Sequence, residues 1–270
     1  MADRFGDKQF MMKNTHSDTN SHLILLAADT SCSAGAVGLI RGEQTLEEIH
    51  LPPEKAFSET LLPAIDRLLN GAGVRLMEID CIGVTQGPGS FTGLRIGLAT
   101  MKTLAYTLNK PMVGMVSLEV LAWARPPGTG RIIPVLSARP GWVYSGVYQK
   151  TEEGLICLQS PSLISLEDCL GVLQPGDFPV GEGALKIAET LRRVFPETPF
   201  DDDPRIHFPR GAAAAQLARQ QILKGGLQSA HQIAALYLQA SVAEVRWEEK
   251  QKEKSGKEPS HVAGSKKEDR

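Results

Sequence analysis

The chain has 270 residues, 22% of them charged, and a formal net charge of −2. That balance excludes the strongly basic surface of a protein that grips nucleic acid by itself, so RNA contact is expected only through a larger complex. No apolar run approaches the roughly 20 residues of a membrane span, and residues 1–21 lack the apolar centre of a secretion signal.

Residues 1–21 are polar and read as a disordered extension. An apolar run at 23–28 predicts a buried strand ending at Asp29-Thr30-Ser31; strands follow at 34–40 and 45–50. A helix is expected over 58–70, capped by Ser58 and stopped by Gly71 and Gly73. The fourth strand, 81–85, enters the run Gly87-Pro-Gly-Ser-Phe-Thr-Gly-Leu-Arg-Ile-Gly97, which opens a second helix. A strand at 112–115 and a short helix over 117–124 complete a first subdomain, 22–124. Residues 125–130, rich in Pro and Gly, read as a linker.

Strands then recur at 132–136, 143–148 and 155–158, with a helix at 166–173 and a strand ending at Val180-Gly181-Glu182-Gly183. Helices are expected over 184–194 and 212–223. Three strands followed by helix–strand alternation occur twice, which predicts an α/β fold of two related subdomains, each a mixed sheet flanked by helices. The second, degenerate subdomain is placed at 131–232. A C-terminal helix is expected over 233–250 and a charged, disordered tail over 251–270.

Two segments invite chemistry. Asp29, Thr30 and Ser31 offer a carboxylate and two hydroxyls to a Mg²⁺-phosphate unit, or they bond only to the local backbone. The glycine run feeds a helix N-terminus, where free N–H groups and the helix dipole favour an anion. It lacks the lysine of a P-loop and the spacing of a dinucleotide fingerprint. Gly93 and Gly97 each cost a helix about 1 kcal/mol relative to Ala, so something must approach that face closely. No two of the six histidines have helical ligand spacing, and neither a catalytic triad nor a nucleophile elbow is present; no catalytic residue, cofactor or metal is expected. Cys32, Cys81, Cys157 and Cys169 are scattered without a C-x-x-C pair, as in a reduced, cytoplasmic protein.

The two long helices carry more apolar positions than one sheet contact needs. Leu61, Leu62, Ile65 and Leu69 on the first, with Gly93, Leu94, Gly97, Leu98 and Met101 on the second, are therefore expected to form a partner interface.

Asp-Thr-Ser at 29–31, Ser-Glu-Thr-Leu-Leu-Pro at 58–63 and the glycine run at 87–97 together resemble the TsaB (YeaZ) family. The likeness covers most of 23–124 and weakens beyond the linker. It implies the actin-like ATPase fold and a non-catalytic subunit of the bacterial machinery that makes threonylcarbamoyladenosine beside the tRNA anticodon. The implied partners are the catalytic paralogue TsaD, the ATPase TsaE and tRNA through the complex, with a homodimer possible when TsaD is absent. The alternatives are an active actin-like ATPase or a metallopeptidase. Three positions depart from the family pattern: Ser137 replaces a usual Asp, Trp142 a usual Glu, and Phe57 a common His.

Overall fold

The computed structural model describes residues 21–198, 200–201 and 203–238. Two mixed sheets are arranged in series. In the first, β1 (Ile24–Asp29), β2 (Gly35–Arg41) and β3 (Gln44–Leu51) form an antiparallel meander. β4 (Cys81–Gly87) and β5 (Met112–Val116) extend β1 in parallel, giving the order β3-β2-β1-β4-β5. β1 is buried at every position, as expected of a central strand covered on both faces.

One face carries α1 (Phe57–Ala72) and α2 (Phe91–Leu108), whose Leu61, Ile65, Leu68, Leu98 and Met101 pack with Leu26, Val37 and Ile82 of the sheet. α1 begins one residue earlier than expected. Its N-cap is Ala56, without a side-chain cap, and the buried Phe57 ring anchors the entry instead of Ser58. Its stop is Gly73, in the left-handed conformation that glycine adopts without strain. Ser90 does cap α2, its hydroxyl accepting the Gly93 N–H at 3.2 Å.

The second sheet has the order β8-β7-β6-β9, from β6 (Arg131–Ser137), β7 (Trp142–Thr151), β8 (Gly154–Ser165) and β9 (Phe178–Val180). β6 pairs antiparallel with β7 and parallel with β9, as β1 does with β2 and β4. Three short helices, α4 (Leu166–Val172), α5 (Glu182–Lys186) and α6 (Ala188–Val194), supply Cys169, Ala184 and Leu191 to its core. The repeated plan is the expected one of two related subdomains, each a mixed sheet flanked by helices. Among the described residues the second copy has no fifth strand.

Two placements differ from expectation. The helix at 212–223, assigned above to the second subdomain, is α7 (Gly211–Leu223) and packs on the first sheet. Together with α3 (Ser117–Trp123) it covers the face opposite α1 and α2, with Ala214, Ala215 and Ala218 against Leu25 and Ala27. Its small side chains let helix and sheet meet at backbone distance: a Cβ on Gly38 would strike the Gly211 carbonyl. Glu48 fixes the start by accepting the Ala212 N–H at 3.0 Å and pairing with Arg210 at 2.6 Å.

The expected helix at 233–250 does not begin as one: residues 233–237 have no regular secondary structure and meet α2 at Lys102 and Phe91. Ile233 is buried in the α1–α2 core, and its carbonyl accepts the Lys102 ammonium at 2.7 Å. Gln86 bonds both the Ala234 carbonyl (2.6 Å) and the Leu236 N–H (2.7 Å). These partners satisfy the segment's backbone from outside, which removes the incentive for a helix to bond internally. Residues 239–250, the tail 251–270 and the extension 1–20 lie outside the described residues.

Candidate functional site

The site begins where β1 ends. Asp29, Thr30 and Ser31 are all buried beneath the first turn of α2. Asp29 Oδ1 accepts the Ser31 N–H at 2.8 Å, the Thr30 hydroxyl donates to the Gly93 carbonyl at 2.8 Å, and the Ser31 carbonyl accepts the Ser90 N–H at 2.6 Å. The glycine run makes this possible. A Cβ on Gly93 would collide with the Thr30 carbonyl, one on Gly97 with the Thr30 hydroxyl, and one on Gly89 with the Ser31 carbonyl. The helical glycines thus admit the strand-end turn of the same chain, not a second helix. The two motifs that stood apart in sequence are one interlocked unit.

Its electrostatics are unusual. Burial pushes the Asp29 carboxyl up to about 6, against the pull of the Ser31 hydroxyl, the Ser31 N–H and the Thr85 hydroxyl. Neither hydroxyl reaches good hydrogen-bond geometry, and Asp29 Oδ2, Ser31 Oγ and Thr85 Oγ1 are each buried without a partner. The Cys32 thiol is held well above its usual range by burial and by the Asp29 and Glu182 charges, which leaves it inert as a nucleophile.

The facing wall comes from the second sheet. The Ser33 N–H (3.2 Å) and hydroxyl (2.5 Å) both donate to Glu182 Oε2, so a carboxylate at the start of α5 bridges the cleft. Gly181 before it donates its N–H to His207 Nδ1 at 3.2 Å, and His207 Nε2 sits 2.8 Å from the Asp201 carbonyl. These contacts fix the neutral imidazole with its proton on Nε2, and burial lowers its pKa. Ser137, at the end of β6, accepts the Lys186 ammonium at 2.7 Å. Trp142 lies half-exposed under the Arg139 guanidinium, 4.5 Å from the ring centroid. Where the resemblance implied two carboxylates, this chain has a lysine-bound serine and a stacked indole.

Glu182, Lys186 and His207 were not singled out from sequence. The duplication held a signal for Glu182: β9–Gly181–α5 repeats β4–glycine run–α2, so Gly181-Glu182-Gly183 occupies the glycine run's place. Nothing local marks His207, which reaches the turn from 26 residues away.

The expected interface is largely interior. Leu61, Ile65, Leu69, Leu94, Leu98 and Met101 are buried, as are Gly93 and Gly97. Only Leu62 of the nine is open, at 54% exposure. The wide apolar stripes serve the sheet, the neighbouring helix and the segment around Ile233, and this accounts for their width. The solvent side presents Glu59, Leu62 and Asp66 on α1, and Thr92, Arg95, Ala99 and Thr103 on α2. Among the described residues, no group of three His, Cys, Asp or Glu side chains is placed to hold a metal ion, and no helix is long and apolar enough to cross a membrane.

The family model for TsaD, tRNA N6-adenosine threonylcarbamoyltransferase, matches residues 47–264. The tRNA threonylcarbamoyladenosine biosynthesis protein TsaB of Bacillus subtilis is 31% identical over 233 residues, covering 85% of this chain and 100% of that protein. TsaB of Escherichia coli is 34% identical over 134 residues, 48% of this chain and 57% of that one. The structure of YeaZ from Pseudomonas aeruginosa superposes with a TM-score of 0.67 at 28% identity, covering 80% of this chain and all of that chain. With the full length of a TsaB relative aligned and a YeaZ structure superposed, this chain belongs to the TsaB (YeaZ) family of tRNA threonylcarbamoyladenosine biosynthesis proteins.

Proposed function

We propose that the chain is a non-catalytic subunit that binds the catalytic TsaD protein and holds it in an active shape while threonylcarbamoyl passes to the adenosine beside the anticodon. The observation that carries this reading is that two serines of the cleft walls, Ser33 and Ser137, are committed to the chain's own Glu182 and Lys186. Asp29 lies wholly buried under Thr30 and Ser31. A Mg²⁺-nucleotide does not fit these residues. The Glu182 carboxylate stands where a phosphate would need the Ser33 N–H and hydroxyl, and like charges repel across a dry cleft.

The docking face assigned to TsaD is the outer side of α1 and α2, centred on Leu62 and the small, exposed Ala99 and Thr103. Small residues let a partner helix approach closely, and an exposed leucine supplies an anchor. TsaE joins that pair, and tRNA is reached through the complex. Without TsaD the same face pairs two copies about a twofold axis, since a self-complementary patch favours that symmetry.

The test is co-elution of the full chain with purified TsaD. Leu62→Arg combined with Ala99→Arg is expected to abolish the complex and leave the melting temperature unchanged, both sites being exposed. Undiminished binding removes this face from the reading. An active ATPase is favoured by one observation, the three partnerless buried oxygens around Asp29. Sustained ATP turnover by the purified chain, lost in Asp29→Ala, is the result that would replace the scaffold role.

A further inference from the structure

An exposed arginine ordinarily wanders among rotamers, and holding it still costs side-chain entropy. Arg95, exposed near the start of α2, is held at two points. Its guanidinium carbon lies 3.7 Å from the centroid of the Phe91 ring, and its Nε donates to the Tyr237 hydroxyl at 3.3 Å. Tyr237 is itself placed by two contacts. Its ring tilts against Phe91 with centroids 5.2 Å apart, and the Leu236 N–H before it donates to the Gln86 carbonyl at 2.7 Å.

With Nε spent on Tyr237, the two Nη groups of Arg95 have no acceptor among the described residues, and no carboxylate there pairs with the charge. A planar guanidinium braced in this way offers its remaining N–H groups as a fixed fork, which matches two oxygens of one anion. Arginine and tyrosine are also the side chains that most often carry the binding energy of protein interfaces.

Two observations favour a protein carboxylate over a nucleic-acid phosphate. Arg95, Ala99 and Thr103 are exposed at i, i+4 and i+8, so the fork lies on the same stripe as the docking face of α2. A nucleic-acid backbone calls for several cations in a row. The next basic side chain along α2, Lys102, is spent on the Ile233 carbonyl at 2.7 Å, and the chain carries a net charge of −2.

We infer that Arg95, braced by Phe91 and Tyr237, receives an acidic side chain of the catalytic partner and selects that partner by charge. This rests on the docking face proposed above.

The test is the dissociation constant of the full chain with purified TsaD, measured by calorimetry at low and high salt. Arg95→Gln is expected to weaken binding at least about tenfold. Arg95→Lys keeps the charge without the fork and should recover only part of that loss. Tyr237→Phe removes only the hydroxyl of the brace and should cost roughly threefold. The native complex should weaken more steeply with salt than the Arg95→Gln complex. Arg41→Gln, an exposed arginine at the end of β2, should change nothing. All these side chains are exposed, so melting temperatures should stay level.

The inference is overturned if Arg95→Gln binds TsaD as the native chain does, or if Arg41→Gln loses as much. It is also overturned if the chain alone binds labelled tRNA through Arg95, which would make the fork a phosphate contact. The docking face and the fork fail in different ways. If the native chain does not bind TsaD, both fall. If Leu62→Arg with Ala99→Arg abolishes binding and Arg95→Gln leaves it intact, only the fork falls.

Discussion

In the first lobe, β1 runs into a buried carboxylate, Asp29, and the turn is locked beneath an 18-residue helix by backbone contacts that only glycines permit. In the second lobe, β6 ends in the half-buried Ser137, which is held by a lysine, and the matching helix α5 has five residues. Gly181 and Gly183 still press against Val135 of β6, so the packing device survives in the copy while its charge is gone. Packing and charge have therefore separated between the two lobes. The glycines answer to the strand–helix contact, and the carboxylate answers to something else.

The sharpest way to break this comparison is to fill the glycines. Gly93→Ala drives a methyl into the Thr30 carbonyl, which is backbone and cannot step aside. The expected loss is about 3 kcal/mol or more, roughly 6–12 °C in thermal melting. Gly183→Ala meets the Val135 side chain at 2.7 Å and the Val135 carbonyl oxygen at 2.9 Å, a looser backbone contact than the 2.1 Å at Gly93, and should cost about half as much. Equal losses would mean that the two turns are equally tight.

Asp29→Asn tests the charge. The folded-state value of about 6 lies above the reference of 3.8, so the native state holds the proton more firmly than the unfolded chain. Stability from this group is full below 3.8 and declines as pH rises to about 6, leaving a constant cost above that. Asparagine keeps an acceptor for the Ser31 N–H and removes the charge. It should stabilise the protein by about 2–3 kcal/mol at pH 7.5 and by little near pH 4, as read by urea denaturation at both pH values. No gain at pH 7.5 would mean that the carboxylate is better solvated than its burial implies.

The smallest expected effect lies in the second lobe. His207 accepts the Gly181 N–H through Nδ1 and faces Arg125, so burial and that guanidinium keep it neutral, with Asp201 pulling the other way. Its folded pKa is lowered, so its contribution is full above the unfolded value near 6.5 and falls as pH drops below it. Protonation forfeits the Gly181 hydrogen bond, a loss of about 1 kcal/mol. The difference in stability between the native chain and His207→Phe should narrow from pH 7.5 to pH 5; a difference that stays constant would show that the imidazole does not titrate in this range.

Most strands and the two long helices were legible in the sequence, because buried strands read as apolar runs and Gly73 and Ser90 mark helix ends by conformation and hydrogen bonding. Eight of the nine expected interface residues lie in the interior, for a physical reason. Periodicity reports that a face is covered but not by what, and for Leu98 and Met101 the cover is this chain's own sheet, neighbouring helix and the segment around Ile233. Residues 212–223 are alanine-rich, a composition that fits close packing on either sheet; the choice was made by Glu48, some 160 residues earlier. The bridge to Glu182 likewise joins residues 149 apart, a pairing that no local pattern contains.

The return of α7 to the first sheet has a consequence for how the protein is made. A nascent chain emerges from its N-terminus, and domains tend to fold in that order. Here the meander and α1 to α3 appear early, but one face of their sheet stays open until residue 223 has been synthesised, after the whole second sheet. The half that emerges first is thus completed last. Truncations between residues 131 and 211 should yield aggregating fragments, because the uncovered face of β1, β4 and β5 is apolar.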